Sequence, residues 1–216
     1  MLHRPTRAVL WIDILGGYLL CLAPRISVGS RQFSTTTTAT SDPQPDIPLL
    51  APLQPVHVWL ERDREGYSWQ AVGPCRYAGH EMTGGVWTAG SELILLTDAG
   101  REACRLTLAL PYPNSLSARL CWRSPARLAT HLQSALLVSQ ALLLGPSRQA
   151  HVSSELLPET WLFPTSSGWL LRAQADVFFD QESIPLSKAQ EGIMLPTFWH
   201  IRLGDLHLAL EPCEYL

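Results

Sequence analysis

Apolar and polar positions alternate over short runs along much of this chain. Cys104, Leu106, Leu108 and Leu110 alternate with Arg105, Thr107 and Ala109, and Leu206, Leu208 and Leu210 alternate with His207 and Ala209. A period of two is that of a strand with one buried face. The same reading predicts strands over 9–15, 18–22, 25–29, 56–62, 67–72, 84–87, 92–96 and 101–110. In the second half it predicts strands over 118–123, 159–163, 169–173, 177–179, 199–203 and 205–210. Gly16-Gly17 is read as the turn of a first hairpin, Asp63–Gly66 as a polar turn, and Pro111-Tyr112-Pro113-Asn114 as a turn and domain boundary. Ser134–Leu144 is rich in Leu and Ala and admits a helix; its end is read as a strand. No stretch carries a sustained helical period.

Two stretches of the chain match each other. Trp59-Leu60 and Gly66-Tyr67 in the first half recur as Trp161-Leu162 and Gly168-Trp169 in the second. Upstream, Gly29-Ser30-Arg31-Gln32 recurs as Gly145-Pro146-Ser147-Arg148-Gln149. A period of this length exceeds the roughly 20–50 residues of solenoid units. The expectation is therefore one all-β fold used twice: two antiparallel β-sandwiches in tandem, over residues 8–112 and 117–213. The first copy carries an insertion, and the polar segment from Ser34 to Asp46, with Thr35–Thr38, is where it falls. Trp59 and Trp161 are expected in the two cores.

Composition narrows the function classes. Charged residues are 16% of the 216, and the formal net charge is -3, so no cationic nucleic-acid footprint is expected. Lys188 is the sole lysine among the sixteen basic residues. The five cysteines are scattered without a C-x-x-C pair, which gives no metal or thioredoxin-type site and suggests free thiols. Residues 8–23 are apolar, but Asp13 and Gly16-Gly17 interrupt them and they are short for a bilayer span. They read as a hairpin, which makes the expected location cytoplasmic, with no membrane partner. Phosphate-cradling glycine loops, a nucleophile elbow and the zincin pattern are all missing, and His80-Glu81 has no following x-x-His. Neither an enzyme nor a cofactor is expected.

The order of elements in each copy resembles that of forkhead-associated (FHA/SMAD-like) domains. In copy one the residues that carry the resemblance are Val28-Gly29-Ser30-Arg31, Gln54-Pro55-Val56-His57-Val58, Tyr77-Ala78-Gly79 and Ala89-Gly90-Ser91-Glu92-Leu93. In copy two they are Leu144-Gly145-Pro146-Ser147-Arg148, Gly168-Trp169 and Gly204-Asp205-Leu206. The resemblance implies an eleven-stranded β-sandwich that binds phosphothreonine peptides through loops at one end. It also implies an Arg and a Ser hydroxyl on the phosphate, and a His that braces the Ser loop. Carried over, the binding set is Ser30, Arg31, Gln54 and His57 in copy one, and Ser147 and Arg148 in copy two. The departures are definite. Arg31 stands two residues after Gly29, Gln54 occupies the place of the phosphate-binding Ser, Ala78-Gly79 replaces Asn-Gly, and Glu159 stands where copy one has His57. Two expectations follow: a protein-interaction module whose partner is a protein or phosphopeptide, or a scaffold whose pockets no longer take phosphate.

Overall fold

The computed structural model describes residues 6–31, 44–112, 115–123, 126–128 and 132–213. The first copy contributes β1 (Arg7–Ile12), β2 (Gly16–Cys21), β3 (Arg25–Ser30), β4 (Ile47–Leu50), β5 (Val58–Arg62) and β6 (Tyr67–Ala71). It continues through β7 (Cys75–Tyr77), β8 (His80–Glu81), β9 (Gly84–Val86), β10 (Glu92–Leu96) and β11 (Glu102–Ala109). The second contributes β12 (Ala118–Arg123), β13 (Arg127–Leu128), β14 (Leu132–Leu137), β15 (Leu142–Gly145), β16 (Val152–Ser153) and β17 (Thr160–Pro164). After β18 (Trp169–Ala173), β19 (Val177–Phe179) and β20 (Glu182–Ile184) comes α1 (Leu186–Glu191), the sole helix among the described residues. The chain ends with β21 (Ile193–Leu195), β22 (Trp199–Leu203) and β23 (Leu206–Pro212). The all-β expectation is met. The Thr35–Thr38 run and the Pro113-Asn114 end of the boundary turn lie outside the described residues.

The repeat is visible in the pairing. β3 runs parallel to β4 and antiparallel to β5, which pairs with β6, which pairs with β9. β15 runs parallel to β16 and antiparallel to β17, which pairs with β18, which pairs with β21. β10 pairs with β11 and β7 as β22 pairs with β23 and β19. The turn before each repeated glycine closes alike: Asp63 N–H donates to Gly66 O at 3.1 Å and Thr165 N–H to Gly168 O at 2.9 Å. In the first turn the Asp63 carboxylate also accepts from the N–H groups of Glu65 and Gly66, at 2.8 and 3.1 Å, so this side chain specifies the reversal.

Contacts divide the chain into two compact units, and the division does not follow chain order. Unit 1 gathers the described residues up to Leu22, Leu110–Arg119 and those from Gln133 on; unit 2 gathers Ala23–Ala109 and Leu120–Leu132. In unit 1 one sheet has the order β20-β19-β22-β23-β1-β2-β14 and the other β16-β15-β17-β18-β21. Leu10, Leu20, Leu208 and Trp199 of the first sheet bury against Leu144, Leu162, Trp169 and Leu171 of the second. In unit 2 the strands β11-β10-β7-β8 are neighbours in that order, and β13-β4-β3-β5-β6-β9 form a six-stranded sheet. Buried leucines and valines of both, among them Val28, Leu60, Leu95 and Leu106, supply its interior.

The first hairpin thus belongs with the second half of the chain. Leu10 lies opposite Leu210, and Trp11 opposite Ala209. The ranges 8–112 and 117–213 describe the sequence repeat, whereas the contact units are discontinuous. The hairpin also turns earlier than expected. Gly16 and Gly17 lie inside β2, opposite Ile12 and Trp11. The reversal is made by residues 13–15, with Leu15 N–H donating to Ile12 O at 3.1 Å and Ile14 at φ 69 with its side chain exposed. This register turns Leu10, Ile12, Tyr18 and Leu20 inward together.

The expected place of the repeated tryptophans is also corrected. Trp59 and Trp161 are half-buried on the outer faces of their sheets. The Arg25 guanidinium lies 4.6 Å from the Trp59 ring centroid, while Trp161 stacks on Phe163 and meets Tyr112 edge-on. The period of two decides this: Leu60 and Leu162 are buried, so the preceding residue on each strand must face out.

Candidate functional site

The loop end of unit 2 brings together the segment after β3, the segment between β4 and β5, and the turn between β6 and β7. β4 is fixed at its start by Asp46. One oxygen of its carboxylate accepts from the Ser27 N–H and from the Ser27 hydroxyl, both at 2.8 Å, and the Asp46 N–H donates back to Ser27 Oγ at 2.9 Å. Ser27 is buried, so these bonds act where an unmet polar group would be costly. The start of β4 is therefore tied to the middle of β3.

Gly29 explains why a glycine ends β3. A Cβ at this position would run into the carbonyl of Pro55. Its absence lets the 53–57 segment pack on the end of β3, where Ser30 N–H donates to Gln54 O at 2.9 Å and His57 N–H to Val28 O at 2.9 Å. Arg31 N–H donates to Leu49 O at 3.0 Å. Ser30, Arg31, Gln54 and His57 are thus brought together at one loop end. Gly145 plays the same part in unit 1, where a Cβ would lie 3.1 Å from the Glu159 Cα.

His57 is buried, and its ring bridges two loops. Gln54 N–H donates to Nδ1 at 3.3 Å, so the ring proton sits on Nε2, which donates to Pro74 O at 3.0 Å. Gly73 leaves room for the ring; a Cβ there would overlap it. Burial pushes the His57 pKa below its ordinary value, against the opposing effects of the Pro74 carbonyl and the Asp98 carboxylate. A neutral, enclosed imidazole is a brace; it has no free face for a ligand. Gln54 presents its amide beside the same loops, with Nε2 donating to Asp98 Oδ1 at 3.5 Å. Arg31 is half-buried at the rim.

Ser147 and Arg148 lie in unit 1, in a tight turn closed on itself. Ser147 Oγ accepts from Gln149 N–H at 3.1 Å, and Ser147 O accepts from Ala150 N–H at 3.0 Å. Both side chains are exposed. The turn replacing Asn-Gly is Ala78-Gly79 in the first copy, with φ 49 and 85, and Asp180-Gln181 in the second, with φ 51 and 68. These joined pairs of positive φ values suit two-residue hairpins.

Sequence reasoning missed His151. It is fully buried, Leu143 N–H donates to its Nδ1 at 3.0 Å, and its Nε2 donates to Ser117 O at 3.1 Å. Burial pushes its pKa down as well, opposed by the bonds to Ser117 and Leu143. Ser117 is itself enclosed, with its hydroxyl accepting from Ser139 N–H at 2.9 Å. Its only sequence signal is the setting, a histidine between Ala150 and Val152 just after the repeated loop. The cysteines are free, and burial pushes Cys75 and Cys104 up to about 12, which leaves them poor nucleophiles. Among the described residues no group of His, Cys, Asp and Glu is arranged to hold a metal ion, and no helix is long and apolar enough to cross a membrane. No protein-family model, curated protein or solved structure matches the chain.

Proposed function

We propose that the protein is an interaction module resembling forkhead-associated domains, without enzymatic activity. Its first copy takes a phosphothreonine peptide or acidic segment of a partner protein at the loop end of unit 2. The observation that carries this reading is the close approach at Gly29. It brings Ser30 against Gln54, with Arg31 next along the chain, while His57 braces the loop. An Arg and hydroxyl or amide donors on a pinned backbone suit an anionic group, whose charge-assisted hydrogen bonds outweigh neutral ones by about twofold. The self-closed turn at Ser147 and Arg148 leaves the first copy as the binding copy. Free cysteines fit a reducing, cytoplasmic setting.

Titration of a phosphothreonine peptide library against wild type and Arg31→Ala tests the reading. Binding by wild type that falls at least tenfold in Arg31→Ala supports it; no binding, or equal binding by both, overturns it. One observation favours the scaffold reading instead: the Asp98 carboxylate beside Gln54, which would repel a phosphate dianion. A partner recovered equally by wild type, Arg31→Ala and Arg148→Ala, with or without phosphatase treatment, would select that reading.

A further inference from the structure

β9 is the edge strand of its sheet in unit 2, and no other described strand covers it. Among the described residues β9 pairs with β6 alone, with Ser68 opposite Val86, Trp69 opposite Gly85 and Gln70 opposite Gly84. Ala71 N–H donates to Thr83 O and Trp87 N–H to Tyr67 O, both at 2.8 Å. These bonds set the parity of the ladder: Gly85 directs its N–H and C=O at β6, and Gly84 and Val86 direct theirs away from the sheet. Edges of this kind are usually blunted by charge, proline or a covering element. The run Met82-Thr83-Gly84-Gly85-Val86 has no charge and no proline. Val86 is 74% exposed, and the neighbouring Val72 and Met82 are 55% and 40% exposed.

We propose that this edge is self-complementary and that two copies of the chain associate through it, antiparallel about a twofold axis at Gly85. In that register Gly84 of each copy faces Val86 of the other, and both are residues whose N–H and C=O point outward. Two doubly bonded pairs form, four hydrogen bonds in all, without either sheet giving one up. The side chains fit the same symmetry. Paired residues of an antiparallel ladder share a face, so each exposed Val86 packs over the bare Gly84 of the other copy. At the axis the two Gly85 residues meet as a closely spaced, non-bonded pair, which residues without side chains permit. A symmetric pairing needs no foreign sequence, and a charged partner strand would gain nothing from an edge without charge. The interface is at the small end of the range, so the dimer is expected to be weak, with Kd of about 10–500 µM.

The test is sedimentation of the full chain from low micromolar to millimolar concentration, with amide exchange read residue by residue. Expected is a concentration-dependent dimer in which the Gly84 and Val86 amides gain protection with dimer population. Val86→Lys, which sets a lysine near its own symmetry copy, should weaken association at least tenfold with an unchanged circular dichroism spectrum and Tm. Val86→Ile should keep it, and Met194→Lys, on the corresponding strand β21 of unit 1, should leave it unaltered. A wild type that stays monomeric at 1 mM overturns the proposal. So does a dimer indifferent to Val86→Lys, one whose Gly84 and Val86 amides exchange freely, or protection of those amides only by an added foreign peptide.

Discussion

Lowering the pH should unfold this protein through two histidines, one in each unit. His57 and His151 are buried, neutral and bound at both nitrogens. Protonation at Nδ1 would set an N–H against the N–H of Gln54 or Leu143, with the charge held away from water. Burial therefore depresses both folded-state pKa values below the ordinary 6.5. The unfolded chain binds the proton first. Above about pH 6.5 both states are neutral at these sites and the stability is intact; as pH falls from there through each folded pKa, it is lost. In that window each histidine contributes a slope of up to about 1.4 kcal/mol per pH unit. His57 acts on unit 2 and His151 on unit 1, so each slope should appear in the transition of its own unit.

Substitution separates titration from packing. His57→Phe leaves the Gln54 N–H and the Pro74 carbonyl without their partner. At about 1–3 kcal/mol for each unmet buried group, the cost at pH 7.5 is roughly 2–6 kcal/mol. His57→Gln keeps an amide that cannot titrate, so it should cost less and remove the unit 2 slope. Guanidinium unfolding of wild type and both variants at pH 7.5 and 5.5 measures the stabilities, and the Cε1–H resonance of His57 measures its pKa directly. Equal pH slopes in wild type and His57→Gln, or a His57 resonance that titrates at or above 6.5, would show that His57 does not carry the pH dependence of unit 2.

Three further outcomes are expected. Leu60→Ala should cost about 2–5 kcal/mol, because Leu60 is buried, whereas Trp59→Ala should cost only about 1 kcal/mol, through the lost Arg25 contact; chemical denaturation ranks the two, and a larger loss at Trp59 would contradict the register. Leu10→Ala should also cost about 2–5 kcal/mol, and amide exchange should accelerate first in β22, β23 and β18 of unit 1 rather than in β5 and β6, since the first hairpin packs in that unit. Cys75 and Cys104 should resist alkylation by iodoacetamide at pH 8 in the native state, and mass spectrometry that finds them modified as fast as half-buried Cys121 would count against their burial.

Alternation made the strands legible, because a half-buried strand must repeat every two residues. Leu106, Leu108, Leu206, Leu208 and Leu210 are buried as their spacing predicts. Gly29 and Gly168 were legible too, because each allows an approach that a Cβ would block, whereas Gly66 supplies only its positive φ. The sequence was silent on which face the strand before each glycine buries: Trp59-Leu60 offers two large apolar neighbours, and the larger is the one that faces out. It was also silent on partners. Alternation tells β1 which side to bury, and nothing local tells it to pair with a strand some two hundred residues away. The candidate site was legible as a set of loops. The roles within it follow from burial, which turns His57 into a brace and leaves Arg31 and Gln54 at the rim.

The two braces explain what each copy retains. Copy one holds its loop with a histidine from the segment before β5, and copy two has Glu159 there and no ring. Yet copy two buries a histidine all the same, His151 from the loop before β16, with the same two bonds: a backbone N–H to Nδ1 and a carbonyl for Nε2. One physical requirement, closing a gap between loops without leaving backbone groups unmet, is satisfied from different positions in the chain. Structural need therefore accounts for a buried histidine in each unit, and neither histidine is evidence of ligand binding. What separates the copies is the rim. In unit 1 the repeated Ser-Arg turn uses its hydroxyl on its own backbone, while in unit 2 the corresponding Ser30 N–H donates to Gln54 O on a second loop. The proposed binding role therefore falls to the loop of Ser30 and Arg31 rather than to the self-closed turn of Ser147 and Arg148.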